Sequence, residues 1–88
     1  MSEKKIFEAE KTFTGHTDWV GALAMLDSQT FISGSRDKTI KLWKIDSDTA
    51  LRTYQGHTYG VHALAMVDAQ TFISGSSDRT IKLWNMDL

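Results

Sequence analysis

Short apolar stretches recur along the chain with polar breaks between them, and none has helical spacing. VGALAML (Val20–Leu26) and VHALAMV (Val61–Val67) are nearly continuous apolar runs of strand length, the pattern of a strand covered on both faces. DSQT or DAQT, with turn-forming residues, follows each run and leads into TFISGS (Thr30–Ser35 and Thr71–Ser76). That stretch runs into SRD or SSD, where a short Asp side chain bonds its own backbone and closes a tight hairpin. TIKLW (Thr39–Trp43 and Thr80–Trp84) is rich in β-branched and aromatic residues, as strands are. After DSDT comes ALRTY (Ala50–Tyr54), a fourth strand. The pattern predicts an all-β protein.

The same pattern occurs twice. Gly15 recurs as Gly56, His16 as His57, Asp37 as Asp78 and Trp43 as Trp84, each at an offset of 41 residues. Residues 15–47 and 56–88 align over 33 positions, of which 10 differ, so both copies serve one structural purpose. Four strands every 41 residues is the period of a β-propeller blade. The Gly-His pairs (Gly15–His16, Gly56–His57) and the blocks SGS-x-D-x-T-I-K-L-W resemble WD40-repeat proteins, although Lys44 and Asn85 stand where the closing Trp-Asp pair has Asp. The resemblance runs from Thr12 onward. It implies two WD40 blades of four antiparallel strands each, forming part of a β-propeller. The chain then divides into an N-terminal segment (1–13), a first repeat (15–55) and a second repeat (56–88) that lacks its own outer strand.

His16, Ser33 and Asp37, and again His57, Ser74 and Asp78, are the residue types of a nucleophilic triad. No nucleophile elbow or other element of an oxyanion hole accompanies them. The family resemblance implies a structural chain instead: Trp43 to Ser33, Ser33 to His16, His16 to Asp37, repeated by Trp84, Ser74, His57 and Asp78. Indole N–H is donor-only, so its partner must be an acceptor such as a hydroxyl. By strand alternation Ser33 and Ser35 share a face, so either satisfies that requirement; family position favours Ser33 and Ser74.

Composition narrows the chemistry further. The chain has no cysteine, which excludes disulfides and thiolate zinc sites. Its three histidines carry no zinc pattern, with His57 and His62 expected on opposite faces, and SGS is too brief for a phosphate loop. No metal or cofactor is expected. A net charge of −1 gives no reason to bind nucleic acid or anionic membrane. No apolar run is long enough to cross a bilayer and no signal peptide opens the chain, so a cytoplasmic location is expected.

Alignment of KIFEAEKTFT with TALRTYQ sets Thr12-Phe13 against Thr53-Tyr54. The segment Lys5–Phe13 therefore reads as an outer strand that completes the 59–86 sheet of another chain. Two blades cannot bend into a ring, whereas head-to-tail association closes one. The expectation is a homo-oligomer, trimer to pentamer, with the eight-bladed tetramer favoured. The differences between copies cluster at Trp19, Gly21 and Arg36 and at Gly60, His62 and Ser77, positions that in WD40 proteins line the narrow face gripping peptides and proteins. The expected function is a non-enzymatic interaction scaffold; the alternative is a purely structural self-assembling fragment, or an excerpt of a longer array without a ligand of its own.

Overall fold

Seven strands form two antiparallel sheets in the computed structural model, which describes residues 4–87. Residues 1–3 of the expected N-terminal segment (1–13) and Leu88 of the expected second repeat (56–88) lie outside the described residues. The first sheet runs in the order β1 (Val20–Met25), β2 (Thr30–Ser35), β3 (Thr39–Lys44), β4 (Arg52–Gln55). The second runs β5 (Val61–Met66), β6 (Thr71–Ser76), β7 (Ile81–Asn85). Described residues therefore make one four-stranded and one three-stranded blade.

Local chemistry closes each hairpin. Asp27 accepts the Gln29 and Thr30 backbone N–H groups at 2.7 and 2.8 Å and the Thr30 hydroxyl at 2.7 Å, turning β1 into β2. Asp68 repeats the backbone bonds between β5 and β6. Between β2 and β3 the Lys38 N–H donates to the Ser35 carbonyl at 3.1 Å, and Lys38 takes a left-handed φ of 77°. Arg79 does the same with a φ of 72°.

A bulge decides which residues meet across the blades. Val20 pairs with Ser35 and Ala22 with Gly34, leaving Gly21 as the extra residue. The equivalent bulge falls on His62. An extra residue reverses the side-chain alternation. Val61 thereby joins Leu64 and Met66 on the face that packs against blade 1, where they meet Ile32, Ile40 and Leu42. Gly34 admits this approach: a Cβ there would lie 2.7 Å from Val61 Cγ1. The core thus sits between the blades.

The inner strands depart from the expectation that both faces are covered. Val20, Leu23 and Met25 are exposed, as are Ala63, Ala65 and Ile73 on the other blade. One face of each inner strand lies at the blade–blade core, and the opposite face meets no sheet among the described residues.

Residues 4–19 form no strand within their own chain. Their last part is nonetheless docked. Phe13 packs edge-on against Phe31 and Trp43, with centroids at 5.1 and 5.7 Å. Lys11 Nζ donates to the Ile45 and Ser47 carbonyls, both at 2.9 Å. Forty-one residues on, Tyr54 packs edge-on against Phe72 and Trp84 at 5.3 and 5.8 Å, and the Arg52 guanidinium donates to the Met86 carbonyl. The segment thus lies against blade 1 as β4 lies against blade 2.

Candidate functional site

Each blade is wired internally by one polar chain. His16 sits in the loop before β1, Ser33 in the middle of β2, Asp37 in the β2–β3 turn and Trp43 near the end of β3. Trp43 Nε1–H donates to Ser33 Oγ at 2.7 Å, and Ser33 Oγ lies 2.6 Å from His16 Nε2. His16 Nδ1 lies 2.8 Å from Asp37 Oδ2. A carboxylate only accepts, so Nδ1–H donates to Asp37, and Nε2 closes the chain on the Ser33 hydroxyl. The second chain is the same: Trp84 to Ser74 at 2.8 Å, Ser74 to His57 at 2.7 Å, His57 to Asp78 at 2.7 Å. Ser35 is occupied otherwise, donating to the Asp18 carbonyl and accepting the Asp37 N–H.

Burial of Asp37 opposes its ionisation. Donors outweigh it: the Thr39 hydroxyl, the Thr17 N–H, the His16 ring and the Thr39 N–H together hold the carboxyl well below the usual carboxylate range. For Asp78 the Thr80 hydroxyl is the largest influence; burial opposes it, and His57 and the Thr58 and Thr80 N–H groups add to it, again lowering the carboxyl.

The serine, histidine and aspartate connect as they would in a nucleophilic triad, but the surroundings differ. Ser33 and Ser74 are buried, and each serine oxygen already receives an indole N–H. The bonds tie a loop, two strands and a turn of each blade together. The glycine before each histidine belongs to the same unit. A Cβ on Gly15 would lie 3.1 Å from Trp43 Cη2, and one on Gly56 3.0 Å from Trp84 Cη2.

The second group of residues lies at the end of the blades where the β2–β3 turn meets the start of β5. A hollow of about 300 Å³ there is lined by Asp18, Arg36, Lys38, Tyr59, Gly60, His62 and Ser77. The Arg36 guanidinium lies 4.8 Å from the centroid of the exposed Trp19 ring, a cation–π contact. The His62 ring bonds the Ser77 hydroxyl through Nε2. His57 faces Asp78 and Ser74 instead, so the two histidines share no ligand position. Among the described residues no three His, Cys, Asp or Glu side chains gather as metal ligands do.

The sequence profile of the WD40 family, described as WD domain, G-beta repeat, matches residues 7–44 and 48–85. The chain belongs to the WD40 family. Each matched stretch begins in the N-terminal segment or just before β4 and ends with the blade's third strand, so the second spans parts of both sheets. A probable E3 ubiquitin ligase complex SCF subunit, sconB of Emericella nidulans, is 47% identical over 49 residues, 52% of this chain and 7% of that protein. The ribosome biogenesis protein YTM1 of Eremothecium gossypii is 41% identical over 39 residues, 44% of this chain and 9% of that protein. Among solved structures, the WD40 β-propeller domain of Doa1 superposes with a TM-score of 0.79 at 37% identity, over 85% of this chain and 26% of that one. The computationally designed proteins Ika4 and Ika8 superpose with TM-scores of 0.73 and 0.74, both at 36% identity and over 85% of this chain, covering 46% and 23% of theirs. The matched stretch is thus less than a tenth of the length of these two curated relatives. WD40 repeats are generally non-enzymatic scaffolds for protein interaction.

Of the six rim candidates, Arg36, Gly60, His62 and Ser77 line the hollow and Trp19 borders it through Arg36. Gly21 lies apart from that lining, at the β1 bulge beside the β5 backbone, where a Cβ would be 3.4 Å from the Val61 carbonyl. Gly60 also meets the other blade, since a Cβ there would be 2.9 Å from Arg36 Cα. Lys38 was not among the candidates. Its place follows from the left-handed turn, for which a lysine gives no sequence signal. Asp18 and Tyr59 differ between copies in the same cluster as Trp19 and Gly60, which was the available clue.

Proposed function

We propose that chains of these 88 residues associate head to tail into a closed propeller, with four chains and eight blades, whose rim offers repeated hollows to protein or peptide ligands. One comparison between equivalent positions carries this reading. Val61 is 1% exposed and Ile40 1% at the blade junction, whereas their counterparts Val20 and Ile81 are 52% and 77% exposed at the two open ends. The open end of blade 1 therefore presents the surface that blade 2 uses against blade 1, and the open end of blade 2 presents the surface that receives it. An apolar groove of about 160 Å³, lined by Ala63, Leu64, Ala65, Ile73, Ser74, Gly75 and Ile81, lies at the place where Val61 fills blade 1. A heterologous contact of this kind repeats until a ring closes.

The docked N-terminal segment supports the same geometry. β4 pairs with β3 through Ile40–Tyr54, Lys41–Thr53 and Leu42–Arg52. Shifted by one repeat, Phe13, Thr12 and Lys11 fall opposite Ile81, Lys82 and Leu83 of the preceding chain. The matched stretch accounts for 26% of the Doa1 propeller chain and 23% of Ika8, about four such stretches in each, and for 46% of Ika4, about two. Within a longer array the neighbouring repeats would occupy the same faces. The SCF-subunit name of sconB supports protein ligands for the ring. Native mass spectrometry of the 88-residue chain tests the assembly: the expected mass is four times the 9.9 kDa chain mass, and one chain at every concentration overturns the ring.

A further inference from the structure

At three of the ten aligned positions where the two copies differ, the residues sit in pairs across the blade junction. Within the chain, Arg36 of blade 1 faces Gly60 of blade 2, and the fit is close: a Cβ on Gly60 would lie 2.9 Å from Arg36 Cα and 3.4 Å from Arg36 Cγ. Gly21 and His62 meet across the same junction, with the would-be Gly21 Cβ 3.8 Å from His62 Cα. A large residue opposes a glycine in both pairs. The 41-residue offset places Ser77 where blade 1 has Arg36 and Trp19 where blade 2 has Gly60. At a junction between chains the first pair would therefore become Ser77 on blade 2 against Trp19 on blade 1, and the second His62 on blade 2 against Gly21 on blade 1.

We propose that these differences are size-matched across junctions, so that Trp19 of one chain seats over the Ser77–His62 shelf of the preceding one. This rests on the ring reading and adds its chain-to-chain specificity. Trp19 is exposed in the single chain, with Arg36 stacked on one side of its ring. The Ser77 side chain is short and turned to His62 Nε2, which leaves open the space that the arginine side chain fills in blade 1. A Trp19 Cβ cannot come as near a neighbour's backbone as the Gly60 Cα comes to Arg36. The junction between chains consequently stands wider at the rim than the junction within a chain, with the indole filling the difference. Two other junctions are disfavoured. Blade 1 against blade 1 would oppose Arg36 to Trp19, and blade 2 against blade 2 would oppose Ser77 to Gly60, one overfilled and one hollow. A ring that leaves one blade of a chain unused needs one such junction, so the matching favours rings built of whole chains.

Dissociation on dilution, followed by native mass and sedimentation, tests the pairing with four full-length variants. Ser77→Arg is expected to raise the half-dissociation concentration at least tenfold, and Trp19→Gly to raise it as well. Trp19→Gly combined with Ser77→Arg, which recreates the within-chain pair between chains, is expected to return to within about threefold of the parent chain. Ser77→Ala should stay within the same threefold. Undiminished assembly of Ser77→Arg, or a double variant no better than Ser77→Arg alone, overturns the size matching while leaving the ring intact. A parent chain that never assembles removes the ring itself, which distinguishes the two failures.

Discussion

Ser33 is where the polar wiring of blade 1 converges, since its oxygen receives the Trp43 N–H and also bonds His16 Nε2. Replacement by alanine leaves two buried nitrogens without partners, and orphaning buried polar groups costs about 1–3 kcal/mol. We expect Ser33→Ala to lower stability by that amount and to move the Trp43 indole N–H resonance in a nitrogen–proton spectrum. Ser35→Ala should leave that resonance in place, because Ser35 bonds only the Asp18 carbonyl and the Asp37 N–H. An indole signal indifferent to Ser33→Ala would remove the assigned bond. Strand alternation alone could not choose between the two serines, because both side chains occupy one face of β2. What separates them is depth along the strand: Ser33 lies opposite Lys41, two residues from Trp43 on β3, whereas Ser35 lies at the hairpin end.

Strands and hairpins were legible as elements because their causes are local. Asp27 reaches Gln29 and Thr30 within three residues, and Asp37 reaches Thr39 within two. The position of β4 was less so: ALRTY predicts 50–54, whereas the strand covers Arg52–Gln55, its limits set by pairing with Thr39–Leu42. That register makes a definite prediction for the N-terminal segment. If Lys11–Phe13 lies along a neighbour's β7, Thr12 and Lys82 are opposite one another at the Cα separation of paired strands, about 4.5–5.5 Å, which a disulfide can bridge. The parent chain has no cysteine to interfere. Thr12→Cys with Lys82→Cys should therefore yield covalent oligomers up to the ring size on oxidation, read on a denaturing gel. Thr12→Cys with Ile73→Cys, away from that register, should not.

For the whole molecule, the two polar chains act together on acid stability. Asp37 and Asp78 ionise in the folded protein well below the usual carboxylate range, and Asp27 and Asp68 are also lowered, Asp27 chiefly by the Thr30 hydroxyl and Asp68 chiefly by the Gln70 N–H. Around pH 4 the unfolded chain binds protons that the folded chain does not, so acid favours unfolding. The contribution is fully present above the unfolded carboxylate value and is lost as pH falls through the folded one. Thermal melting from pH 7 to pH 2 should show a plateau down to about pH 5 and a steep fall beneath it. Asp37→Asn should lower the plateau and flatten that fall; an unchanged slope would contradict the role given to the carboxylate.

The sequence by itself determined the repeat, the strand content, the hairpin turns and the residue types of each polar chain, because these depend on contacts within one blade whose spacing recurs every 41 residues. Only the tertiary structure decided which serine the indole takes, that a bulge carries Val61 onto the face against blade 1, and that Gly34 and Gly60 are the points where one blade's backbone admits the other. Those outcomes depend on how two sheets face one another, and no local pattern specifies that. Side chains from separate blades meet there at van der Waals distance, so a single methyl decides the fit.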